Sequence, residues 1–288
     1  MLLHKAHGLG NDYLVLLEGP PLGPPLVRAL CDRHRGVGGD GVLERVPPPA
    51  GADLAVRIWN PDGSEAEKSG NGLRIFAWAA ASFWGAPSVM HIGTASGTVR
   101  ASVGPGGVEV EMGRFSRDPA AIPCASPLWG APLQVGGDTL VVFAVGMGNP
   151  HCVVWFPEGT ALDALPWRRW GAALEVHPLF PRRTNVQFAT SVGPGRLAVR
   201  IHERGAGPTL ASGSSACAVA VVAAEAMGLG RSFSVEMPGG ALAVAVDADG
   251  AVRQAGPVCG VGRITLDAAW QEDCLPGVLP GGLAPPPG

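Results

Sequence analysis

A chain of 288 residues with 47% hydrophobic content carries enough apolar material for a substantial core, and its length suits one large domain or, as expected here, two of ordinary size. A formal charge of -3 with no basic cluster excludes an electrostatic footprint for nucleic acid or an anionic membrane surface and leaves small molecules as the default partner. The 43 glycines and 28 prolines belong in the turns of a packed protein, because the apolar content is high and no repeat unit dominates.

The N-terminus reaches Gly8 and Asn11 before any long apolar run, so no signal peptide is expected and the cytoplasm is the expected compartment. Leu54 to Trp59 reads as a strand and is followed by a polar, glycine-containing loop. An apolar helix is then predicted from about Gly72 to Trp84, stopping at Gly85. Thr98 to Val103 alternates as a strand does. The same series returns further along: a strand over Leu197 to His202, a helix from about Ser215 to Met227 stopping at Gly228, and an alternating segment over Ala241 to Val246. Serine before each helical run is a favourable N-cap, and glycine after it a favourable stop. The apolar stretch Ala216 to Ala224 is too short to span a bilayer and ends at Glu225. Six cysteines (Cys31, Cys124, Cys152, Cys217, Cys259, Cys274) show no C-x-x-C pair or histidine at ligand spacing, so reduced structural thiols and no metal site are expected. Pro276 to Gly288, rich in proline and glycine, reads as unstructured.

These two series share one offset of 143 residues. Ala55-Val56-Arg57-Ile58 returns as Ala198-Val199-Arg200-Ile201, Ser69-Gly70 as Ser212-Gly213, Gly85 as Gly228, Gly97 as Gly240 and Gly107 as Gly250. Gly8-Leu9-Gly10-Asn11 pairs with Gly146-Met147-Gly148-Asn149 at an offset of 138. Short Ala/Val/Gly matches arise by chance, but chance does not hold one offset through strand, loop, helix and next strand. Two pseudo-symmetric halves follow, each with mixed strands around a central helix, and their helix N-termini should face each other across a cleft. A helix N-terminus attracts anions through its free N–H groups and dipole, so two of them suit one shared carboxylate. Ser69-Gly70-Asn71-Gly72 and Ser212-Gly213-Ser214-Ser215 offer little side-chain bulk against such a ligand. Asn60 and Asp62 follow the first repeat strand, Glu203 and Arg204 the second, while Asn11, Asn149, His151 and Asn185 sit in motif-like segments of their own. Singly, an asparagine beside glycine is more often a turn residue than a ligand.

The segments His7-Gly8-Leu9-Gly10-Asn11-Asp12, Asp32-Arg33-His34, Asn60-Pro61-Asp62-Gly63-Ser64-Glu65, Gly70-Asn71-Gly72, Gly148-Asn149-Pro150-His151, Arg183-Thr184-Asn185 and Glu203-Arg204-Gly205-Ala206-Gly207 resemble diaminopimelate epimerase in order and spacing, from about Lys5 to Gly260. The resemblance implies an α+β fold of two pseudo-symmetric domains, each a curved mixed sheet or partial barrel around a central helix. Residues 1–117 would form the first, 118–274 the second, with its last strand free to return to the first, and 275–288 a flexible tail. It implies interconversion of LL- and meso-diaminopimelate by proton transfer at the α-carbon without cofactor, in lysine and cell-wall precursor synthesis, by a homodimer. Two acid/base groups must then flank one carbon. In the family these are cysteines, whose pKa of about 8.5 falls further at a helix N-terminus. By position, Asn11, Asn60, Asn149, Asn185, Glu203 and Arg204 would recognise the substrate, Gly70-Asn71 and Gly213-Ser214 would hold the reacting carboxylate, and His151 and Glu203 would tune the catalytic pair.

At the catalytic positions this chain has Ser69 and Ser212. A serine hydroxyl is far less acidic than a thiol, and no base adjoins either serine in sequence, so the two-thiol reaction should be severely slowed or absent. Cys217 lies five residues into its helix on another face, and Cys152 is expected to pack in the core. Gly41 stands where many relatives carry a polar side chain. An engineered Cys→Ser pair, a paralogue with altered isomerase chemistry and a non-catalytic amino-acid-binding paralogue all fit. A phenazine-pathway or proline-racemase type of isomerase fits the binding motifs less well.

Overall fold

The computed structural model describes residues 1–270, so the proposed tail 275–288 and the last residues of the second half lie outside it. The chain folds as a mixed sheet with few helices, and its halves follow one order of elements. In the first half, Leu2–Gly8 and Asn11–Leu16 pair as a hairpin. Helix α1 (Pro24–Cys31) then crosses over to Val42–Val46, which runs parallel to Asn11–Leu16, as a parallel connection requires. Leu54–Trp59 returns antiparallel, and the short strand Glu65–Ala66 leads into α2 (Gly70–Phe83). Val89–Thr94 lies parallel to Leu54–Trp59, and Gly97–Gly104 and Gly107–Arg114 complete the half.

The second half repeats this order. Asp138–Gly146 and Pro150–Trp155 form the hairpin, with Trp129–Val135 added outside it. Helix α3 (Trp167–Glu175) crosses over to Asn185–Gly193, parallel to Pro150–Trp155, and Arg196–Glu203 returns antiparallel. Gly207–Thr209 then precedes α4 (Gly213–Glu225), followed by Ser232–Met237 parallel to Arg196–Glu203, Gly240–Val246 and Ala251–Gly256. The halves share strands: Ala251–Gly256 pairs with Gly107–Arg114, and Cys259–Thr265 returns to pair with Leu2–Gly8.

Both central helices begin two residues before the periodicity suggests, because Gly70 and Gly213 are already helical and the preceding serines are extended at the N-cap. Their ends are also alike. Gly85 (φ 69°) and Gly228 (φ 67°) adopt the left-handed conformation that glycine tolerates best. The Ala86 N–H closes on the Ala80 carbonyl at 3.1 Å, and the Leu229 N–H on the Ala223 carbonyl at 3.0 Å. Helix α4 is buried on every face from Ser215 to Ala223, the arrangement its all-apolar sequence demands. One apolar cluster runs through both halves and joins Ile75 and Phe76 of α2 to Val219 and Val221 of α4. Each such side chain contributes roughly 1.5–3 kcal/mol by leaving water, so the helices are held where their N-termini meet.

Candidate active site

The first turns of α2 and α4 abut. A methyl group at Gly70 would lie 3.2 Å from the Gly213 Cα and would overlap Gln254 Nε2, while one at Gly213 would come within 2.5 Å of Gln254 Oε1. Gln254, on Ala251–Gly256 and almost fully buried, therefore fills the angle between the two helices and imposes glycine on both. A cleft of about 700 Å³ opens in front of this junction. It is lined by Asn11, Asn60, Ser69, Gly70, Asn71, Asn149, Asn185, Glu203, Arg204, Ser212, Gly213 and Ser214, which are all the residues given a role by the resemblance except His151; Asp62, also noted from the sequence, is not in the lining.

Positive potential gathers at the floor. The helix N-termini contribute free N–H groups and their dipoles. Within α2, Arg74 is completely buried; it donates from Nη2 to Asn71 Oδ1 at 2.8 Å, while its Nε and Nη1 have no hydrogen-bond partner among the described residues. Burial pushes its pKa down to about 10, which leaves it charged at neutral pH. Lys68, also in the cleft lining, donates to the Met112 carbonyl at 2.6 Å, and burial lowers its pKa. A carboxylate seated here would meet two helix termini with cationic groups behind them.

The two serines differ in their surroundings. Ser69 Oγ accepts the Gly72 N–H at 3.0 Å, which caps α2, and shares a hydrogen bond with the Tyr13 hydroxyl at 3.1 Å. Burial raises the Tyr13 pKa far above its usual value, so the partner of Ser69 is a neutral phenol. Ser212 makes no side-chain cap to α4. It lies instead beside Glu203, whose pKa is raised by desolvation and by the charge of Asp40 against the lowering effect of the neighbouring Ser212 and Thr209 hydroxyls. A carboxyl group thus adjoins one serine, and a phenol with a backbone N–H the other.

His151 lies behind the cleft wall with no exposure. Gln187 Nε2 donates to its Nδ1 at 3.0 Å, which leaves Nε2 to donate to Asn149 Oδ1 at 2.8 Å. Burial, reinforced by Arg204, pushes its pKa down to about 3. It is a neutral ring with both nitrogens engaged, and it orients Asn149. The remaining amides are fixed too. Asn11 spans Asp40 Oδ2 (2.8 Å) and Asn71 Nδ2 (3.1 Å), and Asn185 spans the Pro150 carbonyl (2.9 Å) and the Arg204 N–H (3.0 Å). Asn60 donates to Ser64 Oγ at 3.0 Å.

Tyr13, Arg33, Asp40 and Lys68 also line the cleft, and sequence reasoning did not place them there. Tyr13 directly follows the Gly8–Asp12 motif and Arg33 lies within another, so position offered a signal for these two; Gln254 had none. Cys217 is buried in α4 with its pKa pushed up to about 12, and burial raises that of Cys152 as well; neither lines the cleft. At Gly41 a side chain would overlap the Trp59 carbonyl and approach Tyr13 Cε1 to 2.7 Å. The space a polar group would need is occupied.

A sequence model of the family described as "Diaminopimelate epimerase" matches residues 3–117 and 143–260, one segment in each half. A relative named diaminopimelate epimerase from Desulforudis audaxviator (strain MP104C) is 42% identical over 280 residues, covering 92% of this chain and 98% of the relative. One of the same name from Synechococcus sp. (strain JA-3-3Ab) is 43% identical over 258 residues, covering 85% and 90%. Among solved structures, a probable proline racemase from Agrobacterium radiobacter K84 superposes with a TM-score of 0.71 at 16% identity over 93% of each chain. A hydroxyproline epimerase from Agrobacterium vitis gives 0.68 at 18% identity, covering 92% of this chain and 90% of that one. At such identities these structures speak for the fold.

Proposed function

The chain belongs to the diaminopimelate epimerase family, and from that premise we propose that its cleft binds diaminopimelate, or an amino acid very like it, at a site whose two-thiol proton shuttle is interrupted by Ser69 and Ser212. The observation that carries this reading is the meeting of the α2 and α4 N-termini at Gly70 and Gly213, with a serine at the mouth of each. In this reading the α-carboxylate sits on the N–H groups around Gly70-Asn71 and Gly213-Ser214. Charge that develops on deprotonation is stabilised there. The distal amino-acid end is recognised by Asn11, Asn60, Asn149, Asn185 and Arg204, with His151 holding Asn149 in position.

The reaction of the family needs proton transfer and no cofactor, and the same is proposed here. The domain division near residue 117, assembly as a homodimer and a cytoplasmic location belong to the same proposal. No helix among the described residues is long and apolar enough to cross a membrane.

Loss of acid/base groups should dominate the kinetics, since each such group contributes about 10²–10⁴-fold. The test is epimerisation of LL-diaminopimelate by the Ser69→Cys, Ser212→Cys double variant. At least a hundredfold gain over the unsubstituted chain is expected. A double variant that neither binds nor epimerises diaminopimelate would refute the reading.

A further inference from the structure

Arg74 is a charged side chain with no exposure at all, and its one hydrogen bond goes to the neutral amide of Asn71. Its Nε and Nη1 are without a partner among the described residues, so no carboxylate pairs with it there. More exposed arginines do find a counter-charge: Arg33, Arg57, Arg200 and Arg253 each pair with an aspartate or a glutamate. The amine of Lys68, in the cleft lining, is likewise bonded to a neutral carbonyl. A buried cation that lacks a counter-charge costs stability. Near the start of α2 the helix dipole adds to its positive potential instead of offsetting it.

The fold nevertheless makes room for this side chain. A methyl group at Gly8 would lie 3.0 Å from Arg74 Nη2, and one at Gly256 would lie 3.6 Å from its Nε. The guanidinium therefore sits between two strands that keep glycine beside it. It also fixes the first turn of α2. A guanidinium can only donate, so Asn71 must turn Oδ1 toward it. The two Nδ2 hydrogens then go to Asn11 Oδ1 at 3.1 Å and to the Ala211 carbonyl at 3.3 Å, directly before Ser212. What Asn71 offers at the helix N-terminus is its backbone N–H. The repeat gives α4 no such cation, because the position 143 residues after Arg74 holds Cys217.

We propose that Arg74 is a positioning residue for the carboxylate site at the helix junction: it holds Asn71 in one orientation, and its uncompensated charge is completed by the carboxylate of the ligand. The proposal rests on the binding mode given above and adds to it a residue outside the cleft lining. A carboxylate arriving at Gly70-Asn71 offsets the cost of enclosing Arg74. The two charges attract across protein, where the effective dielectric is lower than in water. The α2 side of the junction, which alone has this cation, therefore attracts the carboxylate more strongly than the α4 side.

The experiment compares the unsubstituted chain with Arg74→Lys, Arg74→Gln and Asn71→Asp. Lysine keeps both charge and donor, and glutamine keeps a donor without the charge. Aspartate at position 71 gives Arg74 an internal counter-charge where Asn71 Oδ1 lies 2.8 Å from Nη2. Calorimetric titration reads the affinity for LL-diaminopimelate, and urea unfolding shows which variants are folded. Arg74→Gln and Asn71→Asp are expected to weaken binding at least about tenfold, and Arg74→Lys to stay within about threefold of the unsubstituted chain. Equal weakening by Arg74→Lys and Arg74→Gln would reduce Arg74 to a packing role and overturn the proposal. Undiminished binding by Arg74→Gln or by Asn71→Asp overturns it as well. Should Arg74→Gln not fold, the Asn71→Asp titration decides alone. Any of these results with diaminopimelate bound by the unsubstituted chain leaves the binding mode standing. If neither that chain nor the Ser69→Cys, Ser212→Cys double variant binds diaminopimelate, the binding mode falls too.

Discussion

His151 is expected from the sequence to tune the catalytic pair, and its direct partners in the fold are Gln187 and Asn149. With Gln187 on one nitrogen and Asn149 on the other, in full burial, it is held neutral with a pKa near 3 against an ordinary 6.5. Between those values the unfolded chain binds a proton that the fold refuses, so stability present above pH 6.5 is lost as pH falls toward 3. The raised pKa of Glu203 acts in the opposite sense, reducing stability as pH rises above 4.5. The expected outcome is an acid limb in urea-unfolding stability that begins near pH 6.5 and is flattened by His151→Gln. A limb of unchanged slope in that variant would count against a neutral His151. Gly41 gives a second lesson at this scale. Its missing polar side chain was legible as a departure from relatives, but the cause, the Trp59 carbonyl and the Tyr13 ring in the same space, is visible only in three dimensions.

The two central helices were predicted from periodicity, with serine before and glycine after, and both exist with those glycine stops. Their starts were placed two residues late, because glycine has a low helix propensity and reads as loop until packing decides otherwise. The serines looked interchangeable as caps, yet the Ser69 hydroxyl caps α2 and that of Ser212 does not cap α4. Ser69→Ala should therefore cost about 1 kcal/mol, the usual worth of a lost N-cap, at any pH from about 5 to 8. Ser212→Ala removes a neighbouring hydroxyl that favours ionised Glu203, so its cost should grow as pH rises and Glu203 loses its proton. Urea unfolding of the two variants across a series of pH values separates the roles. A pH-independent cost for both would mean that Ser212 does not act on Glu203.

At the scale of the whole molecule, the halves are joined by shared strands and by one residue at the helix junction. Gln254 occupies the volume that a side chain at Gly70 or Gly213 would need. Gly213→Ala should destabilise by roughly 1–3 kcal/mol through overpacking, and the double variant with Gln254→Ala should cost less than the sum of the single changes by at least about 0.5 kcal/mol. Strict additivity would mean that the two residues do not compete for space. The duplication, the central helices with their glycine stops, the strands beside them and twelve of the cleft-lining residues could be read from the sequence, because they depend on local periodicity, backbone preference and motifs a few residues long. The tertiary structure decided that Glu203 stands beside Ser212 while Ser69 is left to Tyr13, that His151 lies behind the wall, and that Gln254 fills the angle between the abutting helices. Those relations join residues on different strands and helices, some of them more than a hundred positions apart, and they are set by how the sheet and helices pack; no local preference of the chain encodes them.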